Sequence, residues 1–334
     1  MRSRADLDRR TTRSAAASDS AAAVDLAPYL EAKFALDERS LNREVLHACT
    51  DRLTAKDGMI RWLDVGTGTG AMIRRLLAQP WAASVTVTAL DQAANLLGSA
   101  SAALAAQLQS EGYRVLVHSR GFEAQQAGRH VFVDFQCCSL FDFEPKRLPA
   151  YDLITAHGVM DIVPVKPAIG HFAAWLAHGG MLYASLNYDG DTALFPLYRD
   201  EAFEAAVLAE YDASMERRRV SGKATGGSRS GRRVHAALCE ANFNVLVYGT
   251  SDWNVTPVAG RYRARDAEVL RTLLAWIRRE SELRPAVDRR ELERWYATRQ
   301  EQLEHGELGM IVHQLDLLAT IERNGSRVYV ESTC

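Results

Sequence analysis

The most telling spacing in this 334-residue chain is an acidic side chain two residues before three alternating glycines, in Trp62-Leu63-Asp64-Val65-Gly66-Thr67-Gly68-Thr69-Gly70-Ala71. An apolar strand that must turn tightly into a helix, with its backbone pressed against a ligand, needs residues without a Cβ in the turn. The segment therefore describes a pocket for a nucleotide-like ligand. Gly66, Gly68 and Ala71 also satisfy the dinucleotide fingerprint, in which a pyrophosphate rests on a helix N-terminus. Asp64 separates the two readings, because a carboxylate there repels a pyrophosphate and suits a ligand that carries positive charge.

Leu63 to Gly70 resembles, at every position, the first motif of the class I S-adenosylmethionine-dependent methyltransferases: an apolar pair, an acidic residue, an apolar residue and Gly-x-Gly-x-Gly. The resemblance implies that Asp64 helps to hold the ammonium end of the methionine part, with Gly66, Thr67, Gly68 and Gly70 passing beneath the cofactor. The family order continues downstream. Ser84 to Leu90 alternates like a strand and ends at Asp91, 21 residues beyond Gly70, which the resemblance makes the ribose ligand with Gln92 as its neighbour. A helix-capping role for Asp91 ahead of 93–109 is compatible with that one. Val131 to Phe143 reads as a strand and the loop that meets the adenine. There Ser139, followed by Leu140, stands where the family commonly has Asp, and a hydroxyl accepts a hydrogen bond more weakly than a carboxylate. Tyr151 to Asp161 matches the fourth strand and its exit, where the family places residues facing cofactor and acceptor. Gly179 to Asn187 matches the fifth strand.

Methyl transfer from a sulfonium is an in-line displacement, so the enzyme mainly has to desolvate and align its two ligands. A general base is needed only for a protonated acceptor. His157 is the first candidate, since an imidazole of pKa near ~6.5 takes a proton at neutral pH; contact with the cofactor is its other reading, and Asp161 is the second candidate base. Arg39, on the segment ahead of the first strand, is a candidate for the methionine carboxylate or else a surface arginine of an amphipathic helix. Asn187 and Tyr188 are candidates for the acceptor wall or members of a packed loop. No carboxylate and histidine cluster has ligand spacing, so no metal is expected.

The elements that must position these groups form an α/β chain: a Rossmann-like, seven-stranded, mostly parallel sheet with an antiparallel last strand and helices on both faces. A disordered tail is expected over 1–24, a helical cap over 25–58, the cofactor-binding core over 59–254, a helical insertion over 255–306, the last strand over 307–322 and a tail over 323–334. Within the insertion, Leu270, Leu273, Leu274 and Ile277 keep i, i+3, i+4, i+7 spacing, and Leu292, Trp295, Tyr296 and Leu303 suggest a second helix after Pro285. Arg217 to Arg233 packs seven positive charges and four glycines together and reads as a mobile lid or solvated loop, without the aromatics that nucleic-acid binding usually requires.

Composition fits a cytoplasmic enzyme. Net charge is −2, which gives no pull toward nucleic acid or anionic membrane, and no continuous apolar span has membrane length. Cys49, Cys137, Cys138, Cys239 and Cys334 have no CxxC spacing and read as reduced thiols. The expected activity is methyl transfer from S-adenosylmethionine to an O or N of a small-molecule acceptor by a monomer or homodimer. The alternatives are a catalytically silent cofactor-binding subunit that activates a partner, an NAD-dependent oxidoreductase, and, through the basic segment, a macromolecular acceptor.

Overall fold

The computed structural model describes residues 25–322 except 80, 82–83, 147, 149 and 284–286. The expected terminal tails, with Cys334, and the expected break at Pro285 lie outside the described residues.

Two helices come first, α1 (Ala27–Ser40) and α2 (Arg43–Thr54). Asn42 divides them, its side chain accepting from the Val45 amide as an N-cap. Then follow β1 (Ile60–Val65), α3 (Ala71–Leu77), β2 (Val85–Asp91), α4 (Ala94–Ser110), β3 (Arg114–His118), β4 (Gly121–Gln126), β5 (Arg129–Cys137), β6 (Tyr151–His157), α5 (Val165–Trp175) and the long β7 (Leu176–Phe195). The chain continues through α6 (Glu201–Arg217), a small hairpin of β8 (Arg219–Val220) and β9 (Lys223–Ala224), α7 (Ser230–Glu240), β10 (Phe243–Thr250), β11 (Trp253–Val255), α8 (Asp266–Glu282), α9 (Arg289–Glu304) and β12 (Gly309–Ile321).

The main sheet runs β10-β12-β7-β6-β1-β2-β5-β4-β3, with β11 added to β12. Its parallel centre is β7-β6-β1-β2-β5, and β12 inserts antiparallel between β7 and β10. The expected seven strands are all present. The additional ones are the antiparallel hairpin β3–β4, which extends the sheet beyond β5, and the short β11.

Three apolar clusters explain the layering. One sheet face, with Trp62, Val85 and Val87, packs on α2, α3 and α4 through Leu46, Leu76 and Leu104. The other, with Leu63, Ile154 and Leu182, packs on α5 and α7 through Phe172 and Leu238. The third cluster joins α1, α6, α8 and α9 over the strand ends, with Leu36, Leu270 and Trp295 inside it. Its fastening is ionic as well as apolar: the guanidinium of Arg299, fully buried, donates to Glu204 and to the carbonyl of Pro196 at 2.8 Å. Breaking such a pair leaves a charge stranded in the interior.

Past the parallel centre, β7 does not stop at Asn187. Leu186 adopts φ +52°, and the buried Asp316 of β12 accepts from its amide at 2.7 Å and from the Asn42 amide at 2.9 Å. The irregular register is thereby held, and β7 continues alongside β12 to Phe195. The basic segment is likewise folded. It spans the end of α6, the β8–β9 hairpin and the start of α7, with Arg232 bound to Asp189 at 2.8 Å and Arg233 to Glu216 at 2.9 Å. Among the described residues no helix is long and apolar enough to cross a membrane.

Candidate active site

The glycine turn joins β1 to α3, and Gly66, Gly68 and Gly70 all have positive φ. A Cβ on Gly66 would lie 2.2 Å from Cγ2 of Val159, so any side chain there must displace Val159 as well as adopt a left-handed backbone. The Thr67 amide donates to the Leu90 carbonyl at 3.0 Å, which ties the turn to the end of β2. Also at that end, Asp91 accepts from the Gly68 amide at 2.8 Å through one carboxylate oxygen and from the Ala93 amide at 2.9 Å through the other. Asp91 is only part-buried. A carboxylate has about four acceptor positions, so two remain for a ligand's hydroxyls.

Asp64 is 1% exposed. The Thr155 hydroxyl donates to it and in turn accepts from the Trp62 indole at 2.7 Å. Burial pushes its carboxyl up to about 7, against the pull of the Thr155 and Thr67 hydrogen bonds. Uncompensated by a cation, this acid sits at the edge of ionisation. The Thr69 hydroxyl, buried in the same turn, has no hydrogen-bond partner among the described residues.

At the β6 exit, His157 is gripped from both sides. Its Nε2 lies 2.9 Å from an Arg75 guanidinium nitrogen, which can only donate. The same Nε2 lies 3.3 Å from the Asp37 carboxylate, which can only accept, and Nδ1 lies 2.8 Å from the Ser185 hydroxyl, so protein groups engage both ring nitrogens. Burial lowers His157 to about 4. Behind it, Arg75 reaches Glu38 and the Phe34 carbonyl, and Asp37 of α1 gathers Lys33, Arg75 and the Trp253 indole, the last at 3.0 Å. Lys33, the His157 contact at 3.3 Å and Arg75 hold Asp37 well below the usual carboxylate range despite its burial.

A cavity of about 440 Å³ opens beside this cluster, between α1, the β6 exit, β7, α6, β11, α8 and β12. Its walls are mostly apolar and aromatic, with Trp253, Trp276, Met310 and Val312 among them, and Asp161 and Arg218 reach it from the β6 exit and the end of α6. The Asp161 carboxyl is raised by burial, with Arg218 at 3.9 Å opposing the rise. Leu30 of α1 lines the cavity and also packs 3.1 Å from where a Gly68 Cβ would stand, so one helix borders both the glycine turn and the cavity.

A family model described as a methyltransferase domain matches residues 35–248. The chain belongs to the class I S-adenosylmethionine-dependent methyltransferases. Solved structures similar to this methyltransferase include a provisionally assigned methyltransferase of Bacillus halodurans (16% identity over 83% of this chain and 98% of that one, TM-score 0.47). Two others are the YcgJ protein of Bacillus subtilis (16%, 85% and 100%, TM-score 0.45) and phosphoethanolamine N-methyltransferase 2 of Haemonchus contortus (14%, 84% and 52%, TM-score 0.40). No curated protein sequence matches the chain significantly.

In the methyltransferase, Asp64, Gly66, Thr67, Gly68, Gly70 and Asp91 converge around the turn. Gln92 follows with its side chain exposed. Next to Asp91, the Ser139 hydroxyl accepts from the Phe141 amide at 3.2 Å, and Leu140 is buried in the core below the loop. Asp161 and Tyr188 face the cavity.

Three of the candidates are engaged within the fold. Arg39 is turned away, paired with Asp266 of α8, because that carboxylate is almost fully buried and needs a cation. Asn187 is fully buried and donates to the Leu315 carbonyl at 2.8 Å, since β7 continues there as a paired strand and is not a strand exit. Both ring nitrogens of His157 are engaged by protein groups, Nε2 by Arg75 and Asp37 and Nδ1 by Ser185. The residues the sequence did not single out are Lys33, Asp37, Arg75, Trp253 and Arg218. An arginine inside the apolar run Met72 to Leu77, and an aspartate on the buried face of α1, were the available signals. Among the described residues no group of His, Cys, Asp and Glu side chains converges as a metal site.

Proposed function

We propose that this methyltransferase moves a methyl group onto an O or N of a small-molecule acceptor held in the cavity beside the β6 exit, with Asp161 as the proton acceptor. The observation that carries the reading is the placement of that cavity. It is mostly apolar, of a size to hold a small molecule, and reaches the glycine turn's neighbours Leu30 and Gly158; of its two lining carboxylates, Glu280 is paired with Arg279 on α8 and Asp161 stands at the β6 exit.

The turn fits S-adenosylmethionine. The cradle at Gly66 and Gly68 disfavours side chains, the Thr69 hydroxyl lacks a partner among the described residues, and Asp64 lacks a cation. Asp64 would hold the ammonium group, Asp91 the ribose hydroxyls and Ser139 the adenine edge. When bound, the cofactor supplies an electrophilic methyl group on a cationic sulfur. The protein's own part is to exclude water with α1 and α8, orient the acceptor against the aromatic walls and take up its proton on Asp161, whose burial favours the protonated form. His157 acts as a positioning residue, holding Arg75 and through it the base of α1.

The test uses purified protein, methyl-labelled S-adenosylmethionine and a panel of apolar aromatic alcohols, acids and amines. At least one compound is expected to be labelled, and Asp161→Asn should slow labelling of any proton-losing acceptor by about 10²–10⁴-fold. Unchanged labelling in that variant removes Asp161 as the base. Failure of the native protein to bind S-adenosylmethionine in calorimetry removes the whole reading.

A further inference from the structure

The charges that face the reacting end of the cavity are unequal. Asp161 is the carboxylate there, and Arg218, at 3.9 Å, and Lys33 both act on it. Lys33 and Arg218 both line the cavity at this end against the one carboxylate of Asp161, whereas Asp37, which pairs with Lys33, and the Arg75–Glu38 pair lie behind the wall and do not line it. Arg279 and Glu280, farther along the lining on α8, neutralise each other at 3.2 Å. The other groups acting with Asp161 are the phenols of Tyr29 and Tyr211, each raised by burial, Tyr211 to about 12; both stay neutral and can only donate to or accept from a ligand. Beyond this end the wall is aromatic: Tyr29 and Trp276 meet edge to face at 4.7 Å, and Trp253 lies under Lys33.

An amine entering as its cation would stand between Lys33 and Arg218 in a poorly hydrated site. A group that becomes negative as it loses its proton gains from both. We infer that the acceptor is an apolar, ring-sized oxygen acid (a phenol, enol or carboxylic acid) methylated on oxygen, with Lys33 and Arg218 selecting it against amines. The assignment rests on the proposed use of the cavity as the acceptor site. In the step, the acceptor oxygen forms a bond to the methyl carbon as the carbon–sulfur bond breaks, its electron pair remaining on sulfur. The proton of a neutral acceptor goes to Asp161, whereas a carboxylate arrives without one.

Calorimetry with three isosteric probes, 2-naphthol, 2-naphthoate and 2-naphthylmethylammonium, tests this on the full chain with and without S-adenosylmethionine. Both oxygen acids should bind more tightly than the ammonium probe, the naphthoate by at least about tenfold, and Arg218→Gln should shrink that ratio severalfold. An ammonium probe that binds as tightly as the naphthoate, or a ratio indifferent to Arg218→Gln, overturns the selection. If none of the probes binds while S-adenosylmethionine does, the oxygen-acid assignment fails and the donor site stands. Labelled methyl transfer to the amine but not to the oxygen acids reverses the inference and leaves the cavity's role intact.

Discussion

Binding of S-adenosylmethionine should strengthen about tenfold between pH 6 and pH 8, and Asp64 should be the cause. Without ligand, the Asp64 carboxyl is raised to about 7 because it is buried with hydroxyl partners and no cation. A ligand whose ammonium group it holds binds only the ionised form. The observed dissociation constant then exceeds its high-pH limit by a factor of about 11 at pH 6 and about 1.1 at pH 8, a difference near 1.4 kcal/mol. The Asp64 contribution has a fixed sign: it raises affinity with pH and levels off above the unliganded value. Titration calorimetry in buffers of different ionisation heat should count about 0.9 proton released at pH 6 and about 0.1 at pH 8. S-adenosylhomocysteine, which keeps the ammonium but not the sulfonium, should show the same slope. Asp64→Asn should abolish the slope and weaken binding at pH 8 by roughly 10- to 100-fold, the loss of a charged hydrogen-bonded partner. Flat affinity across this range, or a slope that survives in Asp64→Asn, refutes the reasoning. The raised value also means that the unliganded fold loses stability as pH climbs from about 4 toward 7, because the unfolded chain ionises first.

Two further outcomes follow from the packing. Arg39→Ala should leave cofactor affinity within about twofold while lowering stability in urea by roughly 1–3 kcal/mol, since Asp266 is left buried without its cation; a tenfold loss of affinity would return Arg39 to the cofactor. Gly66→Ala should cost roughly 2–5 kcal/mol from left-handed backbone strain and the clash with Val159, and adding Val159→Ala should recover roughly 1–3 kcal/mol of it by thermal or chemical denaturation. No recovery would mean that the clash is not what excludes a side chain.

The candidate cofactor residues could be grouped from the sequence because their signals are local. Asp64, the three glycines and Asp91 lie on one strand-turn-helix-strand unit, and spacing alone brings them together. The helices of the insertion were equally plain, since Leu270, Leu273, Leu274 and Ile277 keep helical period and are all buried. The acceptor half depends on partners far apart in the chain. His157 reads as a free base until Arg75 and Ser185 are placed on its two nitrogens. Asn187 reads as a strand exit until the main-chain alignment of β12 carries β7 past it. The β3–β4 hairpin escaped notice for a different reason: Leu116 and Val117 are exposed on a sheet edge, so burial imposes no alternation on the sequence there.

The contact of α1 with both the glycine turn and α8 has a thermodynamic consequence. Tyr29 and Arg39 bind this helix to Trp276 and Asp266 of α8, while Leu30 and Glu38 bind it to the glycine turn and α3. The proposed donor and acceptor sites therefore share a single roof beam. Whatever free energy one ligand spends or gains in seating that beam is felt equally by the other, so each should alter the other's affinity by the same factor. The traffic of the two products out of the enzyme is then a joint event, set by how often one helix lets go of two partners at once.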